Sequence, residues 1–367
     1  MAATESADNW PMFGCDGSGT RANTGEKSAK VPYTFVWSIP PRVDNPVFCS
    51  EPIIGGGKFF ILTQNQELIA YNIATGKVSW ETSYFESFLE PVFYQGKLIV
   101  LTKKGTLFCY DAFNGKELWA KTFLSDYHYP PLLCHDKLYL MGKRSSGIDF
   151  FALNASNGDT IWKKVYQGVN SNAFAVNNDI ICFTSVSSND ISGSFTEVIA
   201  LSPKNGDIIW KTKVRGANHP VLSQGMVFVG TSDYLIHALS ETTGKTIWQM
   251  RLEGNINHYT LYQNYLIAHC TTGKIFALDA LTGKIHWNAV AGGNTSYIFS
   301  ANGMVYYRSF DPLAGRRLIS GEIYSADKQL YESVLLEKYN EYSRHASIGL
   351  GYLVVVGNNC IAVFKSI

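Results

Sequence analysis

Short runs in which apolar and polar residues alternate fill this chain, and Gly and Asn punctuate them. A period of two predicts β-strands, and the punctuation predicts tight turns. Residues 91–94 and 97–102 form two such runs, followed by 107–111 and 117–121. Four short strands within roughly 40 residues is the arithmetic of a propeller blade.

The pattern repeats. Ala-Tyr-Asn-Ile-Ala-Thr-Gly-Lys-Val-Ser-Trp at 70–80 returns as Cys-Tyr-Asp-Ala-Phe-Asn-Gly-Lys-Glu-Leu-Trp at 109–119, and as Ala-Leu-Asn-Ala-Ser-Asn-Gly-Asp-Thr-Ile-Trp at 152–162. Further copies end at Trp210, Trp248 and Trp287, so the steps between tryptophans are 39, 43, 48, 38 and 39 residues. Gly supplies the positive φ of a hairpin turn. A Trp at a fixed place in every copy predicts packing between neighbouring blades rather than a binding stripe.

Two further units are less regular. Residues 298–335 have a blade's length, with Tyr331 where Trp is expected. The last stretch, 346–367, supplies three strands, and 34–39, carrying Trp37, can supply the fourth. Sharing a blade between the chain ends closes a ring and removes exposed sheet edges. The expectation is an all-β, eight-bladed propeller of four-stranded antiparallel blades over 33–367. Residues 1–32 are expected to be an N-terminal extension packing on it.

The Gly-x-x-x-Trp hairpin resembles the tryptophan-docking motif of the pyrroloquinoline quinone (PQQ)-like propellers. The opening Asn-Trp-Pro-Met-Phe-Gly-Cys-Asp-Gly-Ser-Gly-Thr-Arg at 9–21 looks like the start of that family's stand-alone members. The resemblance covers about the whole chain and implies fold more than function. It implies no PQQ here: the quinone-using dehydrogenases carry an adjacent Cys-Cys pair and calcium ligands, and this chain has no Cys-Cys pair.

Composition narrows the classes. Of 367 residues 46% are hydrophobic and 17% charged, with a net charge of +1. That leaves no broad basic surface for nucleic acid. The longest apolar runs are strand-sized, so no membrane span is expected. Without a leader in the sequence as given, the expected location is cytoplasmic, though an exported mature form is compatible with the same residues. The seven cysteines have no CxxC spacing, and four sit in apolar strand-like runs, which predicts reduced core thiols.

Chemistry is expected where each blade's first strand meets the channel mouth. Aligned copies place Glu51, Glu90, Pro130, Asn172, His219, His258, Tyr297 and His345 at one position. Three of the chain's eight His fall there. Glu51, Glu90, His219, His258 and His345 are the candidate catalytic groups, since carboxylates beside imidazoles supply a general acid and base or hold a divalent metal. Asn172, Tyr297, Arg215, Asn218, Asn257 and Arg344 are candidate ligand-binding residues. Water lining a polar channel accounts for the same pattern. Two functions follow: a module binding a small molecule or protein through its loop face and channel, or an enzyme using the Glu/His arc without an organic cofactor.

Overall fold

Consecutive strands pair antiparallel and then hand on to the next sheet, which generates a ring. The structure is a computed structural model. It describes residues 12, 16, 18, 22–23, 33–39, 47–83, 87–123, 125–171, 173–187, 195–290, 298–301, 304–307, 314–317, 345–357 and 360–366.

Six blades follow one another from blade 1, with strands Ile53–Gly55, Lys58–Leu62, Glu67–Asn72 and Val78–Ser83, to blade 6, with Ile256–Tyr262, Tyr265–Cys270, Lys274–Asp279 and Ile285–Val290. In blades 3 and 4 the innermost strand is in two pieces; in blade 3 these are Asp126–Tyr127 and Leu132–Cys134, both on Lys137–Arg144. The segment 185–196 of blade 4 is partly strand: Ile181–Ser187 pairs with Phe195–Leu201. The closing blade joins the chain ends: His345–Gly349, Tyr352–Val356 and Ile361–Ser366, completed by Tyr33–Ile39 with Trp37 opposite Val363.

These make seven blades of four antiparallel strands, which corrects the expectation of eight. The unit read as a further blade is built differently. Ile298–Ala301, Met304–Tyr307 and Ala314–Arg317 are antiparallel, but the fourth strand is the two-residue Ala22–Asn23, added in parallel beside Ile298–Ala301. No outer Trp-bearing strand is described there, and Tyr331 lies outside the described residues. This sheet sits between blade 6 and the closing blade. Ile298 and Val305 pack with Ile267 and Ile275, whereas Phe299 and Tyr306 join the cluster around Ile348 and Val354.

Trp docking links the seven blades in sequence. The indole N–H groups of Trp37, Trp80, Trp119, Trp162, Trp210 and Trp248 donate to the carbonyls of Ile73, Ala112, Ser156, Pro203, Glu241 and Ala280, each on the next blade, at 2.7–3.2 Å. Every ring covers the next turn's glycine. At Gly115, φ is +75° and a Cβ would lie 2.7 Å from the Trp80 ring, so the turn's handedness and the close approach both select glycine. Cys109, Cys182, Cys270 and Cys360 are buried free thiols; burial pushes those of Cys109 and Cys270 up to about 12.

Candidate functional site

The first hairpin of every sheet fixes the height of the candidate ring. Innermost strands end at Gly55, Tyr94, Cys134, Val176, Ser223, Tyr262, Ala301 and Gly349. Glu51, Glu90, Pro130, Asn172, His219, His258, Tyr297 and His345 each lie four positions earlier in the sequence. Among the described members the shared register sets a common level, roughly 13 Å from the hairpin ends at about 3.3 Å per residue. Asn172, Tyr297 and Arg344 lie outside the described residues.

Their surroundings differ. Glu51 is fully buried, with Ser50 beside it donating no charge but accepting the Leu62 N–H at 2.9 Å. Glu90 is half-buried. His219 stacks on Tyr259 of blade 6 with centroids 5.0 Å apart, and its carbonyl accepts the Tyr259 hydroxyl. Burial raises the Tyr259 phenol well above its ordinary range, so that hydroxyl stays a donor. His258 stands in register with His269 on the next strand, and His345 with Val356.

Other candidates have structural partners. The Asn218 side-chain amide donates to the Ile256 carbonyl, tying blade 5 to blade 6. The Arg215 guanidinium is exposed and lies over the Phe195 ring at 5.5 Å. Asn257 lies on the innermost strand of blade 6.

One cavity gathers polar groups on this face. It has a volume of about 390 Å³ and lies between blades 1 and 2, where Glu90 meets Lys103, His128, Gln64, Gln66 and Thr63. Among the described ring candidates, Glu90 alone lines it. The sequence reading missed Lys103, Gln64 and Gln66. Their signal was the turn after the second strand of blades 1, 2 and 5, opened by Thr63, Thr102 and Thr231, whose N–H groups bond four residues on. A second missed group is Asp149 of blade 3. It is fully buried, accepts the Ser125 hydroxyl at 2.6 Å and meets the Arg144 Nε at 2.6 Å.

Among the described residues, no three His, Cys, Asp or Glu side chains come together as a site for a metal ion. Residues of the N-terminal segment contact the inner strands of blades 3, 4 and 5.

Comparison with known proteins places the repeats. Residues 22–100, 85–184 and 152–297 match the family model PQQ_2, described as outer membrane protein assembly factor BamB. No curated protein matches the sequence. Among solved structures, BamB from Moraxella catarrhalis is 16% identical, covering 91% of this chain and 100% of that one, with a TM-score of 0.64. The quinohemoprotein alcohol dehydrogenase of Comamonas testosteroni is 12% identical over 99% and 81%, TM-score 0.72. The quinohemoprotein alcohol dehydrogenase ADHIIG of Pseudomonas putida HK5 is 11% identical over 98% and 80%, TM-score 0.72. At these identities the likeness is one of fold. No helix among the described residues is long and apolar enough to cross a membrane.

Proposed function

Since this chain belongs to the PQQ-repeat family described as outer membrane protein assembly factor BamB, we propose that it is a binding module that engages a protein through the face bearing Glu90, Lys103 and His128. The family match over 22–297 carries the reading, because an assembly factor acts on other proteins. The site chemistry is in keeping with it. Lys103 and Gln66 on exposed turns offer donors, Glu90 and the Gln64 carbonyl offer acceptors, and the cavity between them has room for one or two side chains of a partner. His219 and Asn218 are occupied with neighbouring blades, which favours a scaffold over a catalytic arc.

A photo-crosslinking residue at Lys103, with one at Gln95 on the hairpin face as control, tests this in extract of the source cells. Discrete protein adducts from position 103, reduced by Glu90→Ala and His128→Ala with an unchanged melting temperature, are the expected result. Adducts equal at both positions, or none at 103, overturn it.

A further inference from the structure

At the hairpin end of the strands, one lysine has no counter-ion. Lys58 opens the second strand of blade 1, as Lys97 opens that of blade 2. Lys97 stands opposite Asp111 on the third strand. Lys58 stands opposite Asn72, a neutral residue whose side-chain oxygen is taken up by Ala74 and Thr75 of its own turn. Lys58 is only 8% exposed, and among the described residues its ammonium has no hydrogen bond and no ion pair. It lies instead 4.5 Å from the centroid of the Phe113 ring, across the seam on blade 2. The ring's quadrupole attracts the charge but leaves the three N–H donors without an acceptor.

Phe113 is unusual in its own place. It stands two residues before the docking glycine of blade 2, where the other blades carry Ala74, Ser156, Lys204, Thr242 and Leu281. Its ring is 77% exposed. The turn that presents it is fixed, because the Phe113 N–H donates to Asp111 Oδ1 at 2.9 Å and the Trp80 indole donates to the Ala112 carbonyl at 3.0 Å. A rigid turn thus holds an aromatic ring in water with a cation against it, and ordering it for a partner costs little entropy. The surrounding charge has one sign in excess. Lys58, Lys77, Lys97 and Lys116 share the hairpin end of blades 1 and 2 with Asp111 and Glu117, four cations against two carboxylates. Asp111 is already engaged by the N–H groups of Phe113 and Asn114.

We propose that this seam binds an acidic segment of a partner protein, in which a side-chain carboxylate accepts from Lys58 and a neighbouring aromatic side chain packs on Phe113. The carboxylate supplies the acceptor that the ammonium lacks, as a charge-assisted hydrogen bond. The aromatic side chain takes the exposed ring out of water, in the manner of an interface anchor. The site lies at the opposite end of the strands from Glu90 and Lys103, so it is separate from the proposed partner face and does not rest on it.

The test follows the anisotropy of fluorescent probes on the full-length protein at low salt: a C-terminally amidated peptide alternating Glu and Phe, one alternating Glu and Ser, one alternating Lys and Phe, and a short oligothymidylate. The Glu/Phe peptide is expected to bind saturably, and the other three to fail. Lys58→Met and Phe113→Ser should each weaken it roughly tenfold. Both changes install residues that this chain already carries at the equivalent places, Met226 in blade 5 and Ser156 in blade 3, so the melting temperature should hold. Should Lys58→Met lower it, Phe113→Ser decides, because that ring is in water. Glu90→Ala, on the other face, should leave this binding unchanged, so failure here is distinct from failure of the partner-face reading. No saturable binding of the Glu/Phe peptide, equal binding by the Phe113→Ser protein, or tighter binding of the oligothymidylate overturns the proposal.

Discussion

His258 and His269 stand opposite each other on adjacent strands of blade 6, one half-buried at the ring and the other fully buried behind it. Cross-strand partners share a face of the sheet. Among the described residues neither ring nitrogen of His269 has a hydrogen-bond partner, and burial holds its pKa down to about 4.

Stability should therefore fall with acid in a defined window. The unfolded chain takes up a proton on this imidazole near pH 6.5, whereas the folded chain does so only near pH 4. The stabilisation is fully present above 6.5 and is lost as pH falls toward 4. Between pH 7 and pH 5 it amounts to about 2 kcal/mol. His269→Phe should flatten that part of the profile, measured by urea unfolding at both pH values. A variant losing as much stability on acidification as the parent would refute the assignment. Burial lowers His237 too, so some dependence remains in both proteins.

Docking predicts a second, graded effect. Trp80→Ala removes a buried ring between blades 1 and 2 and should cost about 3–5 kcal/mol. Trp80→Phe keeps most of the packing but deprives the Ala112 carbonyl of its donor, at about 1 kcal/mol. Gly115→Ala should cost at least about 1 kcal/mol, since alanine is strained at φ +75° and its Cβ meets the Trp80 ring. Thermal unfolding in which Gly115→Ala equals the parent would contradict this packing.

The repeat was legible because packing repeats. Trp80, Gly115 and their counterparts must recur wherever one blade meets the next, so spacing alone placed them. The shared closing blade was legible because Trp37 carries the same signature. The count of eight blades failed at the less regular unit of Ile298–Ala301, where a parallel Ala22–Asn23 strand stands in the ring and periodicity holds no record of a strand borrowed from far away in sequence. The ring register was legible because hairpin length fixes it. What each ring residue touches was not, since His219 stacks on Tyr259, on another blade. The cavity residue Lys103 escaped because the residues of these turns change from blade to blade even where a Thr opens each one.

Strand sharing makes the closing blade sensitive to truncation. Deleting 33–39 removes Tyr33–Ile39 from the sheet and bares the edge of Ile361–Ser366, whose residues Ile361, Ala362, Val363 and Phe364 are apolar and buried. An apolar unpaired edge recruits other chains. Light scattering should show aggregation at protein concentrations where the full chain stays monodisperse. A monomeric, stable truncated protein would show that the ring closes without this strand.

The Asp149 cluster predicts an asymmetry that exposure alone would invert. Arg144 is 42% exposed at its side chain and Asp149 fully buried, so ordinary reasoning ranks the aspartate as the costlier loss. Its carboxylate accepts from Ser125 and meets Arg144 at 2.6 Å, with the Lys163 ammonium farther off at 3.9 Å; among the described residues its Oδ1 has no hydrogen-bond partner. Removing Arg144 leaves the buried charge with one hydroxyl and a distant ammonium, and breaking a buried pair in this way costs about 3–5 kcal/mol. Removing Asp149 instead releases Arg144 to water, which it already half occupies. Asp149→Leu fills nearly the same volume; Arg144 and Lys163, both partly exposed, turn to water, and the Ser125 hydroxyl loses its partner, at about 1–2 kcal/mol. Arg144→Ala should thus be the more destabilising single change, and Arg144→Ala combined with Asp149→Leu should recover most of its loss. Urea unfolding of the three variants decides the matter: if Asp149→Leu is the worse single change, the carboxylate owes little of its stabilisation to Arg144.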